Sequence, residues 1–189
     1  MGNKPKLEHE SAERILAIAW ELFQQKGYKG VSVDEICAQC NLTKPTLYYH
    51  FHDKEDLFVT VLVRQLRLFQ NVLQQPGTIE ERLNCMAKAV LEKFQTPYTV
   101  LLHDREHIQK TENQVAVRET FRNDFFNPLR LLMQSGLDSG ELRGRNADLL
   151  TLMFLGILNN FISRVSETGL DTASLAAELT DYFLKGASL

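Results

Sequence analysis

The segment Ser32 to Leu57, SVDEICAQCNLTKPTLYYHFHDKEDL, constrains the fold more than any other part of the chain, because its caps and turn formers enforce short helices in tight succession. Ser32 followed by Glu35 has the spacing of a capping box, in which the hydroxyl accepts from an early backbone N–H and the carboxylate reaches back to the cap. The helix begun there runs only to about Cys40. Asn41 tolerates the left-handed conformation of a tight turn, and Thr43 then offers a fresh N-cap. Pro45 falls in the first turn of the second helix, where a missing N–H costs little. In that frame Ile36, Leu42, Leu47 and Phe51 face inward, and Lys44, Thr46, Tyr49 and His50 face outward. A second helix whose first turns offer such groups is the arrangement that enters a major groove. Asp53 caps a further helix with Lys54 in its first turn. The helix dipole disfavours a cation there, unless a phosphate approaches the same N-terminus.

Elsewhere the apolar residues recur at helical spacing and no segment alternates as a strand would, so an all-α fold is expected. Ile15, Ile18, Ala19, Leu22 and Phe23 form one stripe, with Gly27 as C-cap. A longer helix is expected from about Asp53 to Gln75, ended by Pro76-Gly77. Thr78 with Glu81 opens another, which stops at Thr96-Pro97. A short amphipathic stretch covers Tyr98 to Lys110, and a longer helix runs from about Glu112 to Ser135 with a kink at Pro128. Gly136, Gly140 and Gly144 then punctuate a connection. Asn146 caps an almost continuously apolar helix through Val165, and Asp171-Thr172 opens a last one ending near Lys185. Residues 1 to about 7 are expected to be disordered.

At 189 residues the chain suits one domain or two small ones. The densest apolar run, Leu149 to Leu158, is interrupted by Asn159-Asn160, short of the roughly 20 residues that cross a bilayer, and no signal peptide is read at the start. Three cysteines do not make a disulfide framework. Together these features predict a cytoplasmic protein with no membrane partner. The charge is −3 overall. Residues 1–54 hold seven Lys or Arg (Lys4, Lys6, Arg14, Lys26, Lys29, Lys44, Lys54) and seven acids (Glu8, Glu10, Glu13, Glu21, Asp34, Glu35, Asp53), and are therefore neutral. A neutral nucleic-acid binder must gather its cations on one face, and its nonspecific binding is weak and salt-sensitive.

The stretch Ile15 to Leu57, with ILAIAWELFQQKGYKGVSVDEI, the turn, and LTKPTLYYHFHDKEDL, resembles the N-terminal domain of TetR-family transcriptional regulators. The resemblance implies a helix-turn-helix DNA-binding domain at 1–54 and a helical effector-binding and dimerisation domain at 55–189. It also implies a repressor that binds a palindromic double-stranded DNA operator as a homodimer and is released by a small-molecule effector. Thr43, Lys44, Pro45, Thr46, Tyr48, Tyr49, His50 and Lys54 occupy the family's DNA-contacting positions. Lys44 and Thr46 suit base edges, the other polar groups suit phosphates, and Pro45 offers only apolar contact. Tyr48 is equally suited to packing between helices. A helical protein-interaction adaptor without specific DNA binding is the alternative.

Two sets of residues in 55–189 extend this reading. The helix Leu149–Val165 is apolar on nearly every side and so needs cover on nearly every side, which a second subunit supplies. Phe154, Leu158, Phe161, Ile162, Leu179 and Phe183 are the expected contacts. Phe94, Tyr98, Phe121 and Phe125, with the polar His103, His107 and Asn160, are the expected lining of a site for a small, largely apolar effector. Cys37 and Cys40 form a lone CxxC that reads as small packing residues, and His103 with His107 has a spacing that also suits an exposed polar face. No glycine-rich phosphate loop, HExxH or nucleophile elbow is present, so neither a cofactor, a metal nor enzyme activity is expected.

Overall fold

The structure, a computed structural model, describes residues 4–187. The expected disorder of residues 1 to about 7 concerns, for residues 1–3, positions outside the described ones; from Lys4 the backbone is already helical. Among the described residues every regular element is helical: α1 Lys4–Gly30, α2 Val33–Cys40, α3 Lys44–His50, α4 Lys54–Leu73, α5 Ile79–Lys93, α6 Tyr98–His103, α7 Thr111–Thr120, α8 Asn127–Ser139, α9 Ala147–Phe161 and α10 Thr172–Ala187. The all-α class is therefore as the periodicity predicts. The chain forms two compact units, Met1–Arg64 with Val100–Val117, and Gln65–Thr99 with Arg118–Leu189.

In the first unit the stripe of α1 buries Ile15, Ala19, Leu22 and Phe23, and α2 and α3 add Ile36 and Leu47, neither of them exposed. Each of these side chains except Ala19 contributes about 1.5–3 kcal/mol by leaving water. Phe23 meets Phe58 of α4 edge-on at 5.0 Å. The turn between α2 and α3 forms as its residues dictate, with Asn41 left-handed at φ 50°. Its neighbours depart from expectation in two details. Ser32 Oγ accepts from Glu35 N at 3.1 Å, but the Glu35 carboxylate pairs with Lys26 instead of closing a capping box. The Thr43 hydroxyl does not cap α3 and lies 2.9 Å from Thr46 Oγ1.

Gly27 interrupts α1 at φ 67°, ψ 173°, a conformation that costs glycine little, and the chain stays helical as far as Gly30. The amide freed by that interruption, Tyr28 N–H, is taken by the Asp104 carboxylate at 2.8 Å. Further along, Glu55 of α4 accepts from Gln109 N and Lys110 N at 3.0 Å each and from Asn113 Nδ2 at 2.9 Å. Lys110 also pairs with Asp53 and Asp56, each at 2.7 Å. The donors that precede α7 thus find carboxylates from the start of α4, where a helix N-terminus favours negative charge.

In the second unit α5 and α10 pack along much of their lengths, and α9 packs on α5, α8 and α10. The Thr78–Glu81 capping box is complete, with both reciprocal hydrogen bonds formed. Asn146 and Asp171 cap the helices that follow them, accepting from Leu149 N at 3.0 Å and from Ser174 N at 2.9 Å. The kink expected at Pro128 takes the form of a π turn over Phe121–Phe126, since the missing proline N–H breaks the ladder and the wider turn absorbs the mismatch. The helix after it continues past Ser135, because Gly136 lets Ile79 and Leu142 approach: a Cβ there would stand 2.7 Å from both.

Candidate nucleic-acid interface

Leu47, fully buried, fixes the orientation of α3 by facing inward, and Phe51 continues that anchoring at the C-cap. The opposite side of α3 is left to water. Thr43, Lys44 and Pro45 are exposed, Thr46 and His50 are half-buried, and Tyr49 is 70% exposed. Tyr48 is 44% exposed, so it is not the interhelical packing residue that its aromatic character allows. Lys44 Nζ lies 2.9 Å from Asp34 of α2, and that hydrogen bond and charge hold the ammonium above its usual range. A fully exposed pair of this kind is replaceable: a phosphate or a guanine edge offers the lysine the same interaction.

Lys54 is placed differently from the expected phosphate contact. Its ammonium turns inward, donates to the Tyr28 and Val31 carbonyls at 2.8 and 2.9 Å, and lies 4.3 Å from the Tyr28 ring centre. Burial lowers its pKa. The lysine closes the carbonyl-bearing end of α1, which also explains a cation in the first turn of α4: its charge is directed at another helix's terminus. The outward set is therefore Thr43, Lys44, Pro45, Thr46, Tyr48, Tyr49 and His50.

The residues expected to form an effector site are only partly brought together. Phe94, Tyr98 and Phe125 are buried and interlock with Phe69, with ring centres 5.1–6.1 Å apart. The Tyr98 hydroxyl donates to Leu155 O at 3.0 Å, and burial pushes the phenol well above its ordinary pKa. These rings fill a core. Phe121 lies tilted against Phe125 at the edge of that cluster and borders an open cavity lined from α7, α8 and α9. Asn160 is exposed on α9. His103 and His107 belong to the other unit, where His103 pairs with Glu106 and His107 stacks on Tyr28.

The expected dimer contacts are corrected by burial. Phe154, Leu158, Ile162, Leu179 and Phe183 lie within their own unit's core, each 5% exposed or less, and Phe161 is half-buried. The apolar residues that α9 leaves uncovered are Leu149, Leu152 and Met153, each more than half exposed, continued by Gly156. Tyr182 of α10 is 65% exposed. The 21 residues Ala147–Glu167 are long and apolar enough to cross a membrane by composition, and a third of that stretch is buried within the chain.

Cys37 and Cys40 are both buried, and burial raises both thiols, which makes them poor nucleophiles. Among the described residues no group of three or more His, Cys, Asp or Glu is placed to hold a metal ion.

The pattern of bacterial regulatory proteins of the tetR family matches residues 15–61. The chain is 41% identical to the HTH-type transcriptional regulator AcrR of Shigella flexneri, over 96% of this chain and 90% of that protein. Its fold is shared by the transcriptional regulator FadR of Bacillus subtilis, solved with stearoyl-CoA (TM-score 0.71, 17% identity, 92% and 98% of the chains covered). The same holds for AibR, solved with isovaleryl coenzyme A and operator DNA (TM-score 0.70, 22% identity, 89% and 94% covered). With a whole-length relative at this identity and the helix-turn-helix in place, the chain belongs to the TetR family of bacterial transcriptional regulators.

Proposed function

We propose that the chain is a repressor that binds a palindromic operator as a homodimer and releases it when a small effector binds. The observation that carries the reading is the outward set of Lys44, Thr46 and Tyr49 on a short helix held by buried Leu47. Residues 1–54 carry DNA reading in this account, and residues 55–189 carry effector binding and dimerisation. Lys44 and Thr46, in the first turn of α3, reach base edges, and Thr43, Tyr48, Tyr49 and His50 meet phosphates. Lys54 serves by holding α1 against α4.

The uncovered stripe Leu149, Leu152, Met153 and Gly156 supports a second copy as its cover, since a contiguous apolar face at this density marks an interface. Two heads related by a two-fold read inverted half-sites. Control by an effector is supported by the fold neighbours that hold acyl-coenzyme A molecules, and by α4, α6 and α7, each of which contributes residues to both units. A cytoplasmic location follows from that role.

The test is selection of bound genomic fragments with the purified protein, followed by light scattering of protein alone and with the selected duplex. Enrichment of an inverted repeat and a dimer mass are expected. A dimer that enriches no sequence is the protein-interaction adaptor instead.

A further inference from the structure

The cavity bordered by Phe121 lies wholly within the second unit and has a volume of about 580 Å³. Its walls are Arg118, Phe121, Arg122 and Phe126 from α7 and the π turn, Asn127 and Arg130 from α8, and Asp148 from α9. That volume is within the range of sites for small organic molecules. The wall is built by the π turn, whose wider pitch brings residues four and five apart onto one side, so that Phe121 and Phe126 stand on the same face as Arg118 and Arg122.

The charge of this cavity is unlike that of the chain. Three guanidinium groups face one carboxylate, an excess of two positive charges in a protein whose net charge is −3. The one acid is Asp148, in the first turn of α9, where the helix dipole favours it. Among the described residues the Arg118 guanidinium has only its neighbour Glu119, at 3.7 Å, and no side-chain hydrogen bond or ion pair engages the guanidinium of Arg122 or Arg130. The guanidinium groups around this open cavity present forked donors to a carboxylate or a phosphate, while the two phenylalanines offer rings to a chain. They also repel cations.

We propose that this cavity is the effector site and that its ligand is an organic anion, with a carboxylate or phosphate held by Arg122 and Arg130 and an apolar tail against Phe121 and Phe126. The proposal rests on the reading of the chain as an effector-controlled regulator, and it replaces the largely apolar effector expected from the aromatic residues alone.

The experiment is calorimetric titration of the full chain with decanoate, decyl phosphate and decanoyl-coenzyme A, with decanol and decyltrimethylammonium as neutral and cationic counterparts. The wild type is compared with Arg122→Gln/Arg130→Gln and with Arg122→Lys/Arg130→Lys. Circular dichroism checks that helix content is unchanged. At least one anion is expected to bind, at least tenfold more weakly to the glutamine variant and at an intermediate level to the lysine variant. Binding of decanoate alone identifies a carboxylate site, and binding of the phosphate and the coenzyme A ester identifies a phosphate site. Binding that is equal for wild type and glutamine variant, or that prefers decanol or the cation, overturns the proposal. The same ligands are added to the protein bound to its selected duplex. Anion binding that depends on the arginines but leaves DNA affinity unchanged supports the site and removes the switch. Release of DNA by decanol or the cation alone keeps the switch and overturns the site.

Discussion

Asp104 takes the backbone N–H of Tyr28 at 2.8 Å, across 76 residues of sequence, at the point where Gly27 breaks the first helix. A segment far from the helix-turn-helix in sequence thus completes the N-terminal unit. Asp104→Ala leaves that amide without its partner and should lower stability by about 1–2 kcal/mol. Urea unfolding checks the size, and hydrogen exchange should quicken at Tyr28; protection that is unchanged there would remove the role of Asp104.

Glu55 is 8% exposed and serves three donors from Gln109, Lys110 and Asn113. Burial raises its pKa, but the hydrogen bonds from Asn113 and the two backbone amides outweigh this and hold the carboxyl below 4.5. A depressed carboxyl stabilises the fold above its unfolded pKa, and the contribution is lost as the pH falls through the lower folded value. Stability should therefore decline as pH falls below about 4.5. Glu55→Gln should cost about 2–3 kcal/mol at neutral pH and flatten that decline. Urea titrations over this pH range measure both, and a variant as stable as the wild type at neutral pH contradicts the account.

Lys54→Ala should act on stability and not on the DNA contact itself, because its ammonium is spent on the Tyr28 and Val31 carbonyls. The expected loss is about 1–3 kcal/mol of unfolding free energy, with the salt dependence of DNA binding unchanged. A salt slope reduced by about one phosphate contact would restore Lys54 to the interface.

Caps and turns were the most legible part of this fold. Asn41, Asp53, Thr78, Asn146 and Asp171 each act within a few residues of themselves, so the local sequence carries the whole interaction. Lys54 was misread because its partners lie 23 and 26 residues earlier, and Asp104 and Glu55 were missed for the same reason at greater separation. Helix α9 was misread in a different way. When a helix is apolar nearly all round, periodicity marks no inner side, and the true division is set by which side α5, α8 and α10 cover. Arg118, Arg122 and Arg130 were not singled out in the sequence, and it is the π turn that places them beside Phe121 and Phe126. Their spacing of four and eight residues was the available signal.

The corrected face of α9 makes a discriminating pair of variants. Leu152→Arg, at a position 59% exposed, should leave the protomer folded and weaken dimerisation by roughly 3 kcal/mol or more, about a hundredfold in Kd. Leu158→Arg, at a position with no exposure, should unfold the unit. Analytical ultracentrifugation with circular dichroism separates the two. A Leu152→Arg chain that stays dimeric contradicts the assignment of this face.

Asp34 holds Lys44 at 2.9 Å on the outer side of the helix-turn-helix. If this surface is the one that meets DNA, as proposed, Asp34→Asn removes a repelling carboxylate from it, and DNA affinity should rise about three- to tenfold at low salt, with a smaller gain at high salt. An unchanged affinity would place Lys44 and Asp34 away from the DNA.

The measurement that bears most directly on the whole account is the affinity of the wild type and Lys44→Ala for a genomically selected duplex and for its scrambled counterpart, by fluorescence anisotropy at fixed salt. The account predicts that the wild type prefers the selected duplex, and that Lys44→Ala loses about 1–3 kcal/mol on that duplex and much less on the scrambled one. Equal affinity of the wild type for both duplexes, or a variant that binds the selected duplex as tightly as the wild type, would contradict the claim that α3 reads DNA through Lys44.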